Sequence, residues 1–340
     1  MKRAQYLIVG MGIAGASLAL ELISRNKRIL VTDNYDPNSA SRVAAGMFNP
    51  VTSKVRNFTW MADQLFPYLD NFYRSAEKFL EAKFYFPKPI YRPFLNADDA
   101  QGWNQPVNSF VKNVCFQPRF GQYVRDVYGG IELNHSGYVD AAALMLALRN
   151  KLFATERWLD SNQDINTVAD VVIYCEGTSV AANPRFNWLP VNPLKGEILT
   201  VQTDLTRDVI FNRSVYLIPN GPDTYKVGAT YDRTREAGNS VQGMQQLEDN
   251  LKKLLAVNYK TTGAGWGFRP TVPDRRPILG AHPESSNRLI FNGLGTKGIT
   301  LAPWFANHLA NWMDGKTSLM DEVNISRFYP LYFKYLQKPV

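Results

Sequence analysis

Short apolar runs closed by glycine alternate with stretches of helical period along this chain. Residues 6–10 (Tyr-Leu-Ile-Val-Gly) have the continuous apolar character of a strand buried on both faces. Ile13, Ala16, Leu20 and Ile23 then recur at helical spacing on a segment rich in Ala and Leu. Residues 28–32 (Arg-Ile-Leu-Val-Thr) read as a second strand, closed by Asp33. A helical pattern covers 57–83, where Pro67 predicts a kink or break. Aromatics, prolines and alternating residues from 84 to about 127 predict strands and loops. Residues 137–153 hold another helix, with Asp140 as N-cap before "AAALMLALRNKL". "DVVIYCEG" (170–177) reads as a buried strand that ends in a glycine turn and returns to the first sheet. Residues 187–264 look like strands plus one helix, over 241–256. Finally "GLGTKGIT" (293–300) is a glycine turn feeding a helix over 300–313. No internal repeat or low-complexity stretch interrupts the series.

The opening unit carries Gly10, Gly12 and Gly15, a G-x-G-x-x-G, between the first strand and its helix. Each glycine has a separate task in such a unit. Gly10 permits the tight turn, Gly12 lets the backbone approach a pyrophosphate, and Gly15 lets helix and strand pack closely. The helix N-terminus offers free N–H groups and partial positive charge to phosphates. Asp33, 23 residues after Gly10, can accept hydrogen bonds from ribose hydroxyls. Strand, turn, helix, strand and acid together predict a dinucleotide site. Asp33 would repel a 2′-phosphate, which leaves NAD or FAD; the motif does not choose between them.

Length and composition narrow the class. At 340 residues the chain is too long for one ordinary core and predicts two domains. With 45% hydrophobic and 20% charged residues it reads as an ordinary globular protein. No apolar run has the length of a membrane span, and Met-Lys-Arg-Ala-Gln leads straight into a strand, so a cytoplasmic location is expected. Cys115 and Cys175 have no metal-ligand spacing and only three histidines accompany them, so no metal site is predicted; two buried thiols are expected rather than a disulfide. The net charge of +8 suits acidic small molecules or nucleic acid. The basic residues are scattered, with no run of five or six, which argues against nucleic acid as the main partner.

Further along, residues 39–50 (Ser-Ala-Ser-Arg-Val-Ala-Ala-Gly-Met-Phe-Asn-Pro) form a small-residue loop that can lie against a ligand. "SRVAAGMFNP", "PLKGEILTV" (193–201), "YLIPNGPDTYKVGATYDR" (216–233), "GFRPTVPDRRPILG" (267–280) and "GLGTKGITLAP" (293–303) follow in the order seen in one superfamily, down to "SRFYP" at 326–330. The chain resembles the D-amino-acid oxidase superfamily, glycine oxidase and sarcosine oxidase among its members. What the resemblance implies is an α/β protein: a Rossmann-type FAD-binding domain with a second α+β substrate domain built on an antiparallel sheet that roofs the flavin. The FAD-binding domain would be discontinuous (1–83, 130–186 and 265–340), with 84–129 and 187–264 forming the substrate domain. On this resemblance the flavin lies against Gly10, Gly12, Ile13, Ala14, Gly15, Asp33 and Asn34 of the opening unit. Ser41, Arg42, Ala44, Ala45, Gly46 and Met47 of the loop, together with Gly177, line it further. Gly295, Thr296, Lys297, Gly298, Ile299 and Thr300 complete the set, the last helix aiming its N-terminus at the flavin's N1 and C2=O.

Three residues are candidates for the chemistry. Arg269 matches the arginine with which glycine oxidase-like enzymes grip the substrate carboxylate, a task suited to a bidentate guanidinium; the alternative is a structural pair with Asp274. Tyr216 matches a substrate-facing strand position whose hydroxyl would bond the same carboxylate; the alternative is a half-buried strand aromatic. Lys226 fits the lysine that sarcosine oxidase-like enzymes hold above the flavin to favour electron transfer to oxygen; the alternative is a solvent-facing lysine on an edge strand. Two positions depart from the sarcosine oxidase pattern. Gly267 stands where those enzymes link FAD to a cysteine, so FAD is expected to be non-covalent, and Thr300 stands where they use a lysine for the carboxylate. The expected reaction oxidises the C–N bond of a small amino acid or secondary amine. Hydride passes from Cα to flavin N5, water hydrolyses the imine, and oxygen or another acceptor takes the electrons. Two other readings keep the fold. "AAGMFNPVTSK" (44–54) also resembles the loop of a tRNA-modifying FAD domain acting on carboxymethylaminomethyl-uridine, and a non-catalytic flavoprotein subunit is the third.

Overall fold

The computed structural model describes residues 3–51, 58–103, 109–160, 168–206 and 208–337. Residue 57 of the expected 57–83 helix and residues 52–54 of the second loop motif lie outside them. Ala4–Val9 is an inner strand of a five-stranded sheet, second from one edge. It runs parallel to Ile29–Thr32 on one side and to Ala169–Tyr174 on the other, with Tyr6 opposite Ile29 and Val171. Ser285–Asn292 joins Ala169–Tyr174 in parallel, and Ile278–His282 closes the edge antiparallel to it. Alternation sends successive side chains of the first strand to opposite cores. Ile8 packs among the helices Ile13–Ser24, Ala62–Leu80, Ala141–Ala154 and Gly298–Met313, while Leu7 packs with Phe186, Trp188 and Tyr332. Both faces are covered, which is why the strand reads as an unbroken apolar run.

An eight-stranded sheet stands against this unit, in the order Lys260–Thr271, Asn192–Gln202, Thr224–Gly228, Val215–Pro219, Ile210–Arg213, Ile90–Pro93, Gly130–Leu133, Val111–Cys115. It is antiparallel except where Ile210 and Phe211 run beside Ile90 and Tyr91. One face is apolar: Leu199, Val201, Leu217, Tyr225 and Val227 lie under Leu247, Leu251 and Leu254 of the helix Val241–Leu254. Ser240 caps that helix by accepting the Gly243 N–H at 3.0 Å. Met47–Phe48, Gly137–Val139 and Tyr85–Pro87 form a third, small sheet, and the Phe48 and Tyr85 rings stack across it with centroids 5.5 Å apart.

Four expectations need correcting. The helix Ala62–Leu80 runs through Pro67 without a break. Pro67 sits on its solvent side, and the carbonyl it strands, that of Asp63, belongs to an exposed residue that water can serve. Residues 39–50 are not all loop, since Ala40–Val43 makes one helical turn and Met47–Phe48 a strand. Both cysteines are free, but only Cys175 is buried; Cys115 is half-exposed. The last helix begins at Gly298 rather than at 300.

Candidate active site

Strand register gathers the three candidate side chains on one face. Ile198 pairs with Gly228 and with Gly265, and Gly228 pairs with Tyr216. Directly paired residues share a face, and so do residues two apart along a strand. Arg269, Gly267, Gly265, Gly196, Ile198, Gly228, Tyr216 and Lys226 therefore all point away from the helix Val241–Leu254 and toward the five-stranded unit. At two of these positions glycine makes room for the candidate side chains. A Cβ on Gly196 would lie 2.0 Å from Arg269 Nη2, and one on Gly228 would lie 2.5 Å from the Tyr216 hydroxyl. The guanidinium thus lies across the bare backbone of Gly196, between Leu194 and Ile198 on the same strand face.

Arg269 Nη1 donates to the Thr230 carbonyl at 3.1 Å, and the guanidinium carbon stands 5.0 Å from the Tyr231 ring centroid. Asp274 does not pair with it; Asp274 binds Arg327 at 2.8 Å instead. Among the described residues no carboxylate lies within ion-pair distance of Arg269. Tyr216 is half-buried, and burial pushes its hydroxyl up to about 12. Lys226 is not on an edge: its strand runs between Asn192–Gln202 and Val215–Pro219. Its ammonium donates to the Ala44 carbonyl at 3.4 Å, and burial holds it below the ordinary lysine range.

Below this face lies the glycine cradle. Gly10 has φ +94°, and a Cβ there would meet the Cys175 carbonyl oxygen at 2.6 Å. A Cβ on Gly15 would sit 1.9 Å from the Gly10 carbonyl oxygen. Gly12 differs from both. Its φ is −71°, and a Cβ would approach nothing closer than Ser41 Oγ at 3.3 Å. The fold itself does not demand glycine at 12, so the bare backbone is left for a ligand. Asp33 Oδ1 accepts the Met11 N–H at 2.8 Å, and its Oδ2 pairs with Arg42 at 3.1 Å. Ser41 Oγ accepts the Ile13 N–H at 3.0 Å. Gly46 (φ +76°) could not carry a Cβ, which would fall 1.8 Å from the Val139 carbonyl oxygen. Met47 Sδ lies 3.8 Å from Asn212 Nδ2 of the large sheet. Ala45 is buried, whereas Asn34 and Ala44 are exposed.

The far turn closes on the same place. A Cβ on Gly298 would be 2.9 Å from Ile13 Cγ2, so the N-termini of Ile13–Ser24 and Gly298–Met313 abut. Gly177 and Gly295 both have positive φ; the Gly177 carbonyl accepts from Asn292 at 2.9 Å, and the Gly295 N–H donates to Pro270 at 3.0 Å. Thr296 is exposed, Ile299 and Thr300 are buried, and the Ile299 carbonyl accepts from the Tyr73 hydroxyl at 2.8 Å. Lys297 donates to Thr59 Oγ1 at 2.6 Å, and burial lowers its ammonium to about 8. Two helix N-termini and two desolvated ammonium groups, Lys226 and Lys297, fit an anionic cofactor. The cradle can hold a dinucleotide's pyrophosphate, and Asp33 its ribose.

Lys297 gives a pH test. A lysine whose folded value is about 8, against roughly 10.4 unfolded, holds fewer protons folded than unfolded across that window. Its contribution to the cofactor-free protein is unfavourable below about pH 8 and fades as pH rises toward the unfolded value. Lys297→Met should therefore raise the melting temperature relative to wild type more at pH 7 than at pH 10. An equal difference at both pH values would remove the desolvated charge from the account.

A dinucleotide cradle beneath a sheet that presents an arginine with no acid partner among the described residues is the layout of a two-layer nucleotide-dependent enzyme. Residues 5–312 match the model of the FAD dependent oxidoreductase family. The chain belongs to this family, and the dinucleotide is FAD. It is similar to the bifunctional protein ThiO/ThiG of Trichormus variabilis, with 26% identity over 95% of this chain and 55% of that protein. It is also similar to the bifunctional protein MnmC of Idiomarina loihiensis, of tRNA 5-methylaminomethyl-2-thiouridine biosynthesis, with 23% identity over 96% of this chain and 59% of that protein. The chain thus spans little more than half of each relative. Iminodiacetate oxidase from Chelativorans sp. BNC1 has the same fold, with a TM-score of 0.74 at 20% identity, covering 95% of this chain and 98% of that one.

Sequence reasoning missed Thr230, Tyr231 and Gly196, which surround Arg269, and Thr59, which holds Lys297. Gly196 alone left a signal, a glycine inside a strand, which marks close approach of another group. No helix of the described residues is long and apolar enough to cross a membrane. Among the described residues no group of three or more His, Cys, Asp or Glu could hold a metal ion.

Proposed function

We propose that this chain oxidises the C–N bond of a small amino acid or secondary amine that carries a carboxylate. The observation behind the reading is Arg269: half-buried, without an acid partner among the described residues, and on the sheet face that it shares with Tyr216 and Lys226. FAD, held non-covalently with glycine at 267, would supply the acceptor for the hydride leaving the substrate's Cα. Arg269 and the Tyr216 hydroxyl grip the carboxylate and so fix which C–H faces the cofactor. No general base is required if the amine binds neutral. The imine leaves with water as an oxo acid and an amine. Gly177, Asp33 and the 39–47 segment bind the nucleotide half, and Lys297 with the Gly298 helix start faces the flavin ring. The large sheet, with Gly130–Leu133 and Lys260–Thr271 included, is the substrate domain. A cytoplasmic location goes with this reading.

The experiment is the visible spectrum of the FAD-loaded protein under anaerobic titration with glycine, sarcosine, iminodiacetate, D-amino acids and proline. Bleaching of the flavin bands by one of these names the substrate class. Flavin bands that none of them bleaches would overturn the small-amine reading. Lys226→Met separates the electron acceptor. With oxygen as acceptor, reoxidation should slow roughly 10- to 100-fold, as expected when a charge that stabilises forming superoxide is removed, while anaerobic bleaching stays unchanged. Unchanged reoxidation would remove Lys226 from that role.

A second reading is supported by the match to MnmC over 96% of this chain. On it, the amine is the carboxymethylaminomethyl group of a tRNA uridine, a glycine derivative that Arg269 would grip in the same way. The net charge of +8 suits phosphates. Affinity for tRNA that falls steeply with salt, with bleaching by modified tRNA alone, would select it. No tRNA binding at low salt would discard it.

A further inference from the structure

Behind Arg269, on the opposite face of the large sheet, lies a buried charge cluster that the reaction does not use directly. Lys195 is 2% exposed and Glu197 0%. Main-chain bonds clip residues 230–232 along this strand. The Lys195 N–H donates to the Asp232 carbonyl at 2.8 Å, Asp232 returns the bond at 3.0 Å, and the Thr230 N–H donates to the Glu197 carbonyl at 3.2 Å. Side chains tighten the clip. The Thr230 hydroxyl accepts the Glu197 N–H at 2.9 Å and donates to Glu197 Oε2 at 3.1 Å. Glu197 also accepts from the Ser240 N–H at 2.5 Å and the Ser240 hydroxyl at 3.2 Å. Lys195 Nζ lies 3.7 Å from Glu197 Oε1 and 3.3 Å from Asp232 Oδ2.

The same residue, Thr230, meets Arg269 from the other side. Its carbonyl takes the Nη1 hydrogen at 3.1 Å, and its neighbour Tyr231 stacks on the guanidinium. We propose that Glu197 and Thr230 are positioning residues: the buried carboxylate holds the Thr230 hydroxyl, and Thr230 in turn holds the direction of the Arg269 fork. The proposal rests on the reading of Arg269 as the carboxylate-binding group. Its physical basis is twofold. A buried ion cluster adds little net stability over apolar residues of the same shape, but it fixes one geometry. A guanidinium is worth most against a carboxylate when its orientation is locked beforehand.

The test titrates FAD-loaded protein with acetate, followed by perturbation of the flavin bands. Thr230→Val keeps the shape and removes the hydroxyl; binding should weaken roughly 10-fold, the size of losing one well-placed hydrogen bond. Thr230→Ser restores the hydroxyl and should bind within about two-fold of wild type, a rescue that a merely structural role would not produce. On an Arg269→Ala background, Thr230→Val should cost nothing further. Glu197→Gln, which keeps the shape without the charge, is the second route should Thr230→Val fail to fold, with roughly five-fold weaker acetate expected. If Arg269→Ala loses acetate while Thr230→Val and Glu197→Gln bind it as wild type does, the positioning role is overturned and the carboxylate reading stands. If Arg269→Ala binds acetate as wild type does, or wild type binds none, the carboxylate reading falls and takes this proposal with it.

Discussion

Arg269→Ala should lower kcat/KM for carboxylate-bearing amines by about 10²- to 10³-fold, the cost of truncating one partner of a desolvated, hydrogen-bonded charge pair. The flavin spectrum should not change, because Arg269 touches the roof of the site and not the cradle. Three features set the size. The guanidinium lies on a strand bared by Gly196, it has no competing carboxylate among the described residues, and one of its donors is already spent on Thr230. Arg269→Lys should recover only part of the loss, since an ammonium cannot match the two-pronged geometry. An amine without a carboxylate gives the control: its rate should be indifferent to the substitution, so the preference for acids collapses. Equal losses for substrates with and without a carboxylate would refute the assignment.

Gly12→Ala and Gly15→Ala should part company, although both glycines belong to one motif. At Gly12 a methyl group meets only Ser41 Oγ, at 3.3 Å, and φ is ordinary. The protein should fold, with unchanged circular dichroism, and should bind FAD about 100-fold or more weakly, because the methyl stands where a pyrophosphate must approach. At Gly15 the methyl would lie 1.9 Å from the Gly10 carbonyl oxygen, a backbone atom that cannot step aside. That variant should lose stability, by about 1–3 kcal/mol or more as in other overpacked cores, before the cofactor is added. A destabilised Gly12→Ala with normal FAD affinity would contradict the division of labour.

The opening unit was legible because its signals are local. A continuous apolar strand, three glycines, a 3.6-residue period and a closing acid all fall between residues 4 and 33. The large sheet was legible as strands but not as an order. Ile210–Arg213 lies beside Ile90–Pro93, a pairing that no local pattern announces. Around Gly263, Gly265 and Gly267, apolar Ala264, Trp266 and Phe268 alternate with glycine rather than with polar side chains, so the inner face leaves no polar or apolar mark of its own. The full extent of the strand Lys260–Thr271 comes from eleven residues paired with Asn192–Gln202. Pro67 misled because a proline inside a helix need not break it where the carbonyl four residues back, here that of exposed Asp63, can be served by water. The surroundings of Arg269 were hidden for the same reason as the sheet order: Thr230 and Tyr231 come from a neighbouring segment, clipped in place by charges that look, in sequence, like ordinary surface residues.

The contact between Ile13 and Gly298 has a consequence for how the protein acquires its cofactor. The two walls of the cradle are made 285 residues apart (298 minus 13) during synthesis. The first strand, helix and acid can form early, but they offer only half a grip until the last glycine turn arrives and docks its helix beside theirs. With FAD held as proposed, flavin loading is expected only once that turn is in place. Held there without a covalent link, FAD would clasp the early and late parts of the chain together, so that resistance to unfolding and proteolysis should rise with the logarithm of free FAD.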